Sequence, residues 1–185
     1  MPSGHREDLS FRPMGREDVP QLRAWLAEPH VAEWWDDAAE TIEGIEASYD
    51  QRVAAEHHVV PWIMEVEGKP VGWIQWYRVE DEPEWYPGIE IPPGTVGIDL
   101  SIGDPDYVDR GFGRLLVLEF VHHVIRTTVP DCPEVWIDPD PRNARAIRAY
   151  QAAGFHDTGI DLPNPDHPDQ RRRLMRMGWA GPAFR

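Results

Sequence analysis

A single domain built on a mixed α/β sheet is the fold this sequence predicts, on three observations. Segments that alternate apolar and polar residues, as strands do, are interspersed with segments of helical spacing, in the order β-α-α-β-β-β-α-β-α-β-β. Two of the strands flank Glu67-Gly68-Lys69-Pro70, a hairpin signal. The length of 185 residues, 41% of them hydrophobic, suits one domain. A chain of this size buries roughly 70% of its unfolded surface and needs no staples.

The elements follow in order. Residues 9–14 alternate weakly and open the fold as a strand. Residues 16–28 place Val19, Leu22, Trp25 and Leu26 on one helical face, and Pro29 ends that helix. Residues 41–56 read as a second helix through Ile42, Ile45, Tyr49 and Val53. Strands follow at 59–66 and 71–77. Residues 80–94 are acidic and proline-rich and read as a loop. Residues 95–102 alternate as a strand, 111–127 form a strong helix opened by glycines, and 134–138 a short strand. Residues 143–153 form a helix that Asn143 caps and Gly154 closes. Final strands at 155–158 and 171–177 enclose a polar loop.

Composition narrows the function. The single cysteine, Cys132, excludes a disulfide framework and a thiolate metal cluster, and no base pattern lies near it to make it a nucleophile. No apolar run approaches the ~20 residues of a membrane span. The first 13 residues lack the apolar stretch of a secretory signal, so a soluble cytoplasmic protein is expected. A net charge of −15 argues against nucleic-acid or anionic-membrane partners. Arg171-Arg172-Arg173, beside the last strand, therefore reads as a solvated edge. The pairs His57-His58 and His122-His123 are chain neighbours that would not share a face, and they indicate no metal site.

The charge is unevenly spread. Residues 24–109 hold 20 acids against 3 bases, a net of −17, while the remainder nets +2. One part of the protein attracts cations. Another, containing Arg110, Arg114, Arg142, Arg145 and Arg148, tolerates an anion. A site for one polycation and one polyanion has this distribution.

Two segments carry chemistry. Arg110-Gly111-Phe112-Gly113-Arg114 follows a strand and begins a helix. Its glycines allow a tight turn with unhindered amides, and a helix start of this kind suits a pyrophosphate. It is not a dinucleotide fingerprint, which needs a third glycine where Leu116 stands, nor a P-loop, since no Gly-Lys-Ser/Thr follows. The second segment runs from Asp138-Pro139-Asp140-Pro141-Arg142-Asn143 through Ala146 and Tyr150 to Gly154-Phe155. Asp99 stands out between them, a carboxylate in the apolar strand Val96-Gly97-Ile98-Asp99-Leu100, where burial needs a reason.

These segments, in this order and separation, resemble the GNAT acetyltransferase family, whose acyl-CoA loop ends in Gly-x-Gly/Ala before a helix. Its later segment reads N-x-x-A-x-x-x-Y-x-x-x-G-F, which Asn143, Ala146, Tyr150, Gly154 and Phe155 fit. The resemblance covers roughly residues 9–178, leaving 1–8 and 179–185 as tails. It implies a mixed, mostly antiparallel sheet flanked by helices. The position three before the first loop glycine, often Gln or Arg in the family, is Val108 here. Within the family, His30-Val31-Ala32-Glu33-Trp34-Trp35, Gly97-Ile98-Asp99 and Asp138-Pro-x-Pro-x-Asn143 resemble aminoglycoside 6′-N-acetyltransferases.

The resemblance implies acetyl-CoA as co-substrate, a polycationic amine as acceptor, no metal, and a monomer or homodimer. Asp99 would be the general base or amine-positioning carboxylate, and Tyr150 the acid for the leaving thiolate. Leu100, Ser101 and Ile102 would hold the pantetheine arm, the loop from Arg110 through Gly111, Phe112 and Gly113 to Arg114 the pyrophosphate, and Asn143 would contact CoA. Asp138 would bind an ammonium group, while Trp34, Trp35, Glu82, Glu84 and Trp85 would line the aminoglycoside cleft. Trp34, Trp35, Trp76 and Trp85 would cover sugar faces, with Trp25, Trp62, Trp73 and Trp136 left to the core. An ordinary Asp near pKa 4 is a poor base for an amine near 8–9, uphill by roughly 7 kcal/mol, so a positioning role or a raised pKa is required. Two rivals stand beside this reading. Siderophore-pathway lysine N-acyltransferases tend to carry His where Asp99 stands and lack the Tyr150 equivalent. A non-catalytic CoA- or drug-binding module is the other.

Overall fold

The computed structural model describes residues 8–35, 49, 52 and 57–178. One seven-stranded sheet organises them, in the order β1-β2-β3-β4-β5-β7-β6. The strands are β1 (Leu9–Pro13), β2 (Val60–Val66), β3 (Lys69–Arg78), β4 (Val96–Ile102), β5 (Glu134–Ile137), β6 (His156–Pro163) and β7 (Arg171–Gly178). Neighbours pair antiparallel except β4 and β5, which are parallel. The helix expected over 41–56 lies outside the described residues, apart from Tyr49 and Arg52.

Local chemistry accounts for the boundaries that differ from expectation. The β2–β3 hairpin closes on only two residues, because Glu67 and Gly68 both take positive φ (52° and 74°), as the tight twisted turn requires. Lys69 and Pro70 therefore already belong to β3. Pro70 is tolerated because the register slips beside its partner, between Met64 and Glu65. β6 runs on to Pro163 because Gly159, at φ 73°, makes a bulge there rather than ending the strand. Pro29 does end helix α1 (Val19–Leu26), but its fixed φ also starts a further short turn, α2 (Pro29–Ala32). Helix α3 begins at Phe112–Phe120 and continues through a π turn, Val121–Ile125, to Arg126–Thr128. Helix α4 is Ala144–Ala153, with the Asn143 side chain accepting from the Ala146 amide at 3.0 Å and Gly154 closing it at φ 109°.

The strand period of two divides the apolar residues between the sheet's faces. On β3, Ile74 and half-buried Trp76 join Met64, Val96 and Ile98 in the core under α3 and α4. Trp73, on the opposite face, packs with Leu22, Trp25, Leu26 and Ile63 under α1. Tyr77 belongs to that face too, in a third cluster with Tyr86, Trp136 and Leu174. Trp25, Trp73 and Trp136 are thus core residues, as expected. Trp62 is half-buried against Phe120, its ring 6.1 Å away. Trp76 is corrected: it faces the α3 core, on the side of β3 away from Asp99.

Candidate functional site

The parallel pair β4–β5 is short. It is registered only at Val96↔Val135 and Gly97↔Trp136. Beyond Gly97 the strands part, and among the described residues the β5-side edge of β4 from Ile98 to Ile102 has no strand beside it. Two cavities, of about 360 and 410 Å3, open along this gap. They share one wall, made of Trp34, Trp35, Leu100, Asn143, Ala146 and Tyr150.

Asp99 reaches the first cavity from β4, with Gln75 directly opposite on β3. The Gln75 side-chain amide donates to Asp99 Oδ2 at 3.1 Å, and its carbonyl accepts from Arg52 at 3.2 Å. Desolvation, reinforced by the neighbouring Asp138 and then Glu82, pushes the Asp99 carboxyl up to about 7, against the Gln75 hydrogen bond and Arg172. Burial, with Asp99 and Asp138 near, also holds the Tyr150 hydroxyl well above the usual phenol range. Asp99 can therefore take a proton near neutrality, while Tyr150 stays protonated and offers one.

Behind Asp99 lies a buried polar chain. The Tyr77 and Tyr86 hydroxyls share a hydrogen bond at 3.0 Å, Tyr86 neighbours Asp138, and Asp138 Oδ2 is paired with Arg172. Burial raises Asp138 despite that arginine. The Arg172 guanidinium also donates to the carbonyls of Trp85 and Pro163 and lies 4.7 Å from the Trp85 ring centre. Asp138 lines the cavity, but its carboxylate is already engaged by the protein.

Among the described residues, the cleft's lining carries both signs of charge. Glu33, Glu82, Asp99, Asp138, Asp140 and Asp166 line it together with Arg52, Arg142, Arg171 and Arg172. Asp140 is bound by Arg142, and Glu82 lies 2.6 Å from the His58 ring. Of the described acids in residues 24–109, Glu33, Glu82 and Asp99 line the cleft, while others, such as Glu65, Glu67 and Asp104, do not. Glu84 is exposed and does not line the cavity, because residues 83–85 form a single 3-10 turn that sends Trp85 inward instead. His57 and His58 occupy a bend, where their rings stack at 4.3 Å, so the chain-neighbour argument fails for this pair. Among the described residues, no three His, Cys, Asp or Glu are grouped to hold a metal ion.

The second cavity runs along β4 to the start of α3. Leu100, Ser101, Ile102, Gly111, Gly113, Arg114 and Asn143 line it, with His30, Arg145 and Arg148. Gly111 precedes α3 at φ 86°, and a Cβ there would meet nothing within 4 Å, so glycine is needed for the backbone conformation alone. The Phe112 side chain is buried, and the Arg110 guanidinium lies 5.7 Å from its ring and bonds the Asp106 carbonyl. Both side chains leave the cavity to the loop backbone. His30 donates to the Ile102 carbonyl at 2.9 Å, tying α2 to β4.

Sequence reasoning passed over Gln75 and read Arg172, with its two neighbours, as a solvated edge, which the structure corrects: Arg172 is buried. Gln75 carried a signal: it is the polar residue in the otherwise apolar run Val71–Trp76. Arg172 carried none, because it sits in a run of three arginines of which only tertiary packing buries one.

A family model described as an acetyltransferase (GNAT) domain matches residues 15–160. The chain is 31% identical over 164 residues to the aminoglycoside N(6′)-acetyltransferase type 1 of Klebsiella pneumoniae, covering 88% of this chain and 80% of that protein. It is 28% identical over 169 residues to the lysine N-acyltransferase MbtK of Mycobacterium tuberculosis, covering 89% and 74%. Among solved structures, AAC(6′)-Ib in complex with paromomycin and acetyl-CoA superposes with a TM-score of 0.82 at 29% identity, covering 93% and 94%.

Proposed function

This chain belongs to the GNAT acetyltransferase family, and from that premise we propose that it transfers acetyl from acetyl-CoA to the 6′-amine of an aminoglycoside. The shared wall of the two cavities carries this reading. An amine in the first cavity, against Asp99, meets a thioester lying along β4 in the second, at Leu100 and Tyr150. Holding the two together supplies much of the rate.

In this reading the amides of Gly111, Phe112, Gly113 and Arg114 bind the pyrophosphate at the positive end of α3, with the Arg114 and Arg110 charges nearby. The open edge of β4, from Leu100 through Ser101 to Ile102, holds the pantetheine arm. Asn143 contacts CoA while its carbonyl caps α4. Trp34, Trp35, Glu82 and Trp85 line the amine's side. The amine lone pair attacks the thioester carbonyl carbon, the C–S bond breaks, and the departing thiolate takes a proton that Tyr150 donates. Asp99 receives the proton the amine loses. With Asp99 near 7, that transfer from an amine of about 8–9 is uphill by only 1–2 units, roughly 1.4–3 kcal/mol. The protein acts in the cytoplasm as a monomer or homodimer.

The test is thiol release from acetyl-CoA with kanamycin, tobramycin, gentamicin and hydroxylysine, followed by mapping of the acetylated amine. Turnover is expected with the 6′-amino sugars. Turnover with hydroxylysine alone would favour the lysine acyltransferase reading, and tight binding without turnover a binding module.

A further inference from the structure

Arg172 is mostly buried, its side chain 10% exposed and that of Asp138 9%. It lies on β7, yet its guanidinium reaches three other segments: Asp138 beyond β5, the Trp85 carbonyl in the acidic loop, and the Pro163 carbonyl at the end of β6. Two more aromatic rings hold it, Trp85 at 4.7 Å and Tyr86 at 5.4 Å. Asp138 Oδ2 is committed to Arg172, and with the side chain only 9% exposed little of the carboxylate is open to a substrate ammonium.

We propose that Arg172 is a positioning residue that withdraws Asp138 from the substrate and fixes it, together with the Trp85 loop, beside Asp99 as the inner member of a carboxylate pair. The substrate ammonium then falls to Asp99 and the outer carboxylates of the cleft, and Asp138 acts only through Asp99. A buried carboxylate of this kind sets the charge its neighbour feels, and the arginine sets how much of it is felt. The groups facing Asp99 are Gln75 and Tyr77 on β3, Glu82 and Tyr86 on the acidic loop, Asp138, Tyr150 on α4, Arg172 on β7, and Arg52 through Gln75. Of these, Asp138 and Arg172 oppose each other. Removing one or the other must therefore move Asp99 in opposite directions, which a purely structural role would not do.

The inference rests on the acetyltransferase reading for its catalytic consequence, but its first test needs no substrate. Carboxyl carbons of Asp99 and Asp138 are titrated by NMR in the free wild-type protein and in D138N, R172Q, R172K and D138N/R172Q. D138N should lower the Asp99 midpoint by about one unit or more, and R172Q should raise it by less, because Asp138 acts on Asp99 more strongly than Arg172 does. R172K should stay near wild type. The double variant, which removes both charges, should fall below wild type and serves if R172Q alone does not fold. In kinetics above the acid limb, D138N should leave the aminoglycoside KM within about twofold while shifting that limb. An Asp99 midpoint unmoved in D138N, together with a KM raised about tenfold or more, would make Asp138 a direct ammonium ligand and overturn the proposal. So would shifts of the same sign in D138N and R172Q. Absence of aminoglycoside turnover in the wild type would sink the functional reading and leave the titrations to decide on Arg172.

Discussion

Replacing Asp99 by Asn should damage the enzyme and strengthen the fold. The folded protein holds this carboxyl at about 7, against 3.8 for the free side chain, chiefly because the strand desolvates it. A folded-state pKa above the unfolded one means that the folded state binds the proton more tightly, so stability is lost as pH rises from about 4 towards 7. Three units correspond to roughly 4 kcal/mol of destabilisation above pH 7. Asparagine removes the charge and keeps an oxygen that can accept from Gln75. D99N should therefore exceed wild type by about 2–4 kcal/mol at pH 8, with the margin shrinking by about 2–3 kcal/mol at pH 5. In a domain of this size that is a rise of about 5–10 °C in Tm at the higher pH. Urea unfolding at pH 5 and pH 8 measures both margins. Turnover should fall by about 10²–10⁴ in the same variant, as expected for loss of a proton acceptor. A D99N protein no more stable than wild type at pH 8, or with a margin independent of pH, would refute the account of a desolvated carboxylate. Full activity in D99N would remove Asp99 from the mechanism.

Other outcomes follow from the same geometry. For the wild type, kcat/KM should rise through an acid limb near pH 7, set by ionisation of Asp99, and a limb near 4 would mean that the carboxylate is not raised. Tyr150→Phe should lower kcat by about 10²-fold or more with the acetyl-CoA KM little changed, measured by thiol release. Gly111→Ala should cost about 1–2 kcal/mol of stability, since φ 86° strains any side-chain-bearing residue there, and should raise the acetyl-CoA KM. Gly113→Ala is the contrast: its Cβ would make ordinary contacts at 3.7 and 3.9 Å, so thermal stability should hold and any loss in acetyl-CoA binding reports crowding of the pyrophosphate. Gly97→Ala should unfold the β3–β4 region, because its Cβ would sit 2.4 Å from the buried Tyr77 ring.

Most elements were legible from local chemistry: the period of two in residues 59–66 and 95–102, the Asn143 cap and Gly154 stop of α4, the glycine turn before α3. Those signals act between residues a few positions apart, and they survive whatever the rest of the chain does. Asp99 was legible too, because a charge in an apolar strand is anomalous on its face. Trp76 and Glu84 misled. Adjacent residues on a strand point to opposite sides, and one tight turn decides which of two loop residues faces inward, so neither residue type nor the family resemblance, which put Glu84 in the cleft, could settle either position. Arg172 was invisible among three consecutive arginines. Its partners come from the segment after β5, the acidic loop and the end of β6, and only the pairing of β7 between β5 and β6 brings them to one place. The sequence by itself thus determined which residues make strands, helices and turns, and which carboxylate is out of place. The tertiary structure alone decided which charges neutralise each other, because desolvation and pairing depend on neighbours far apart in the chain.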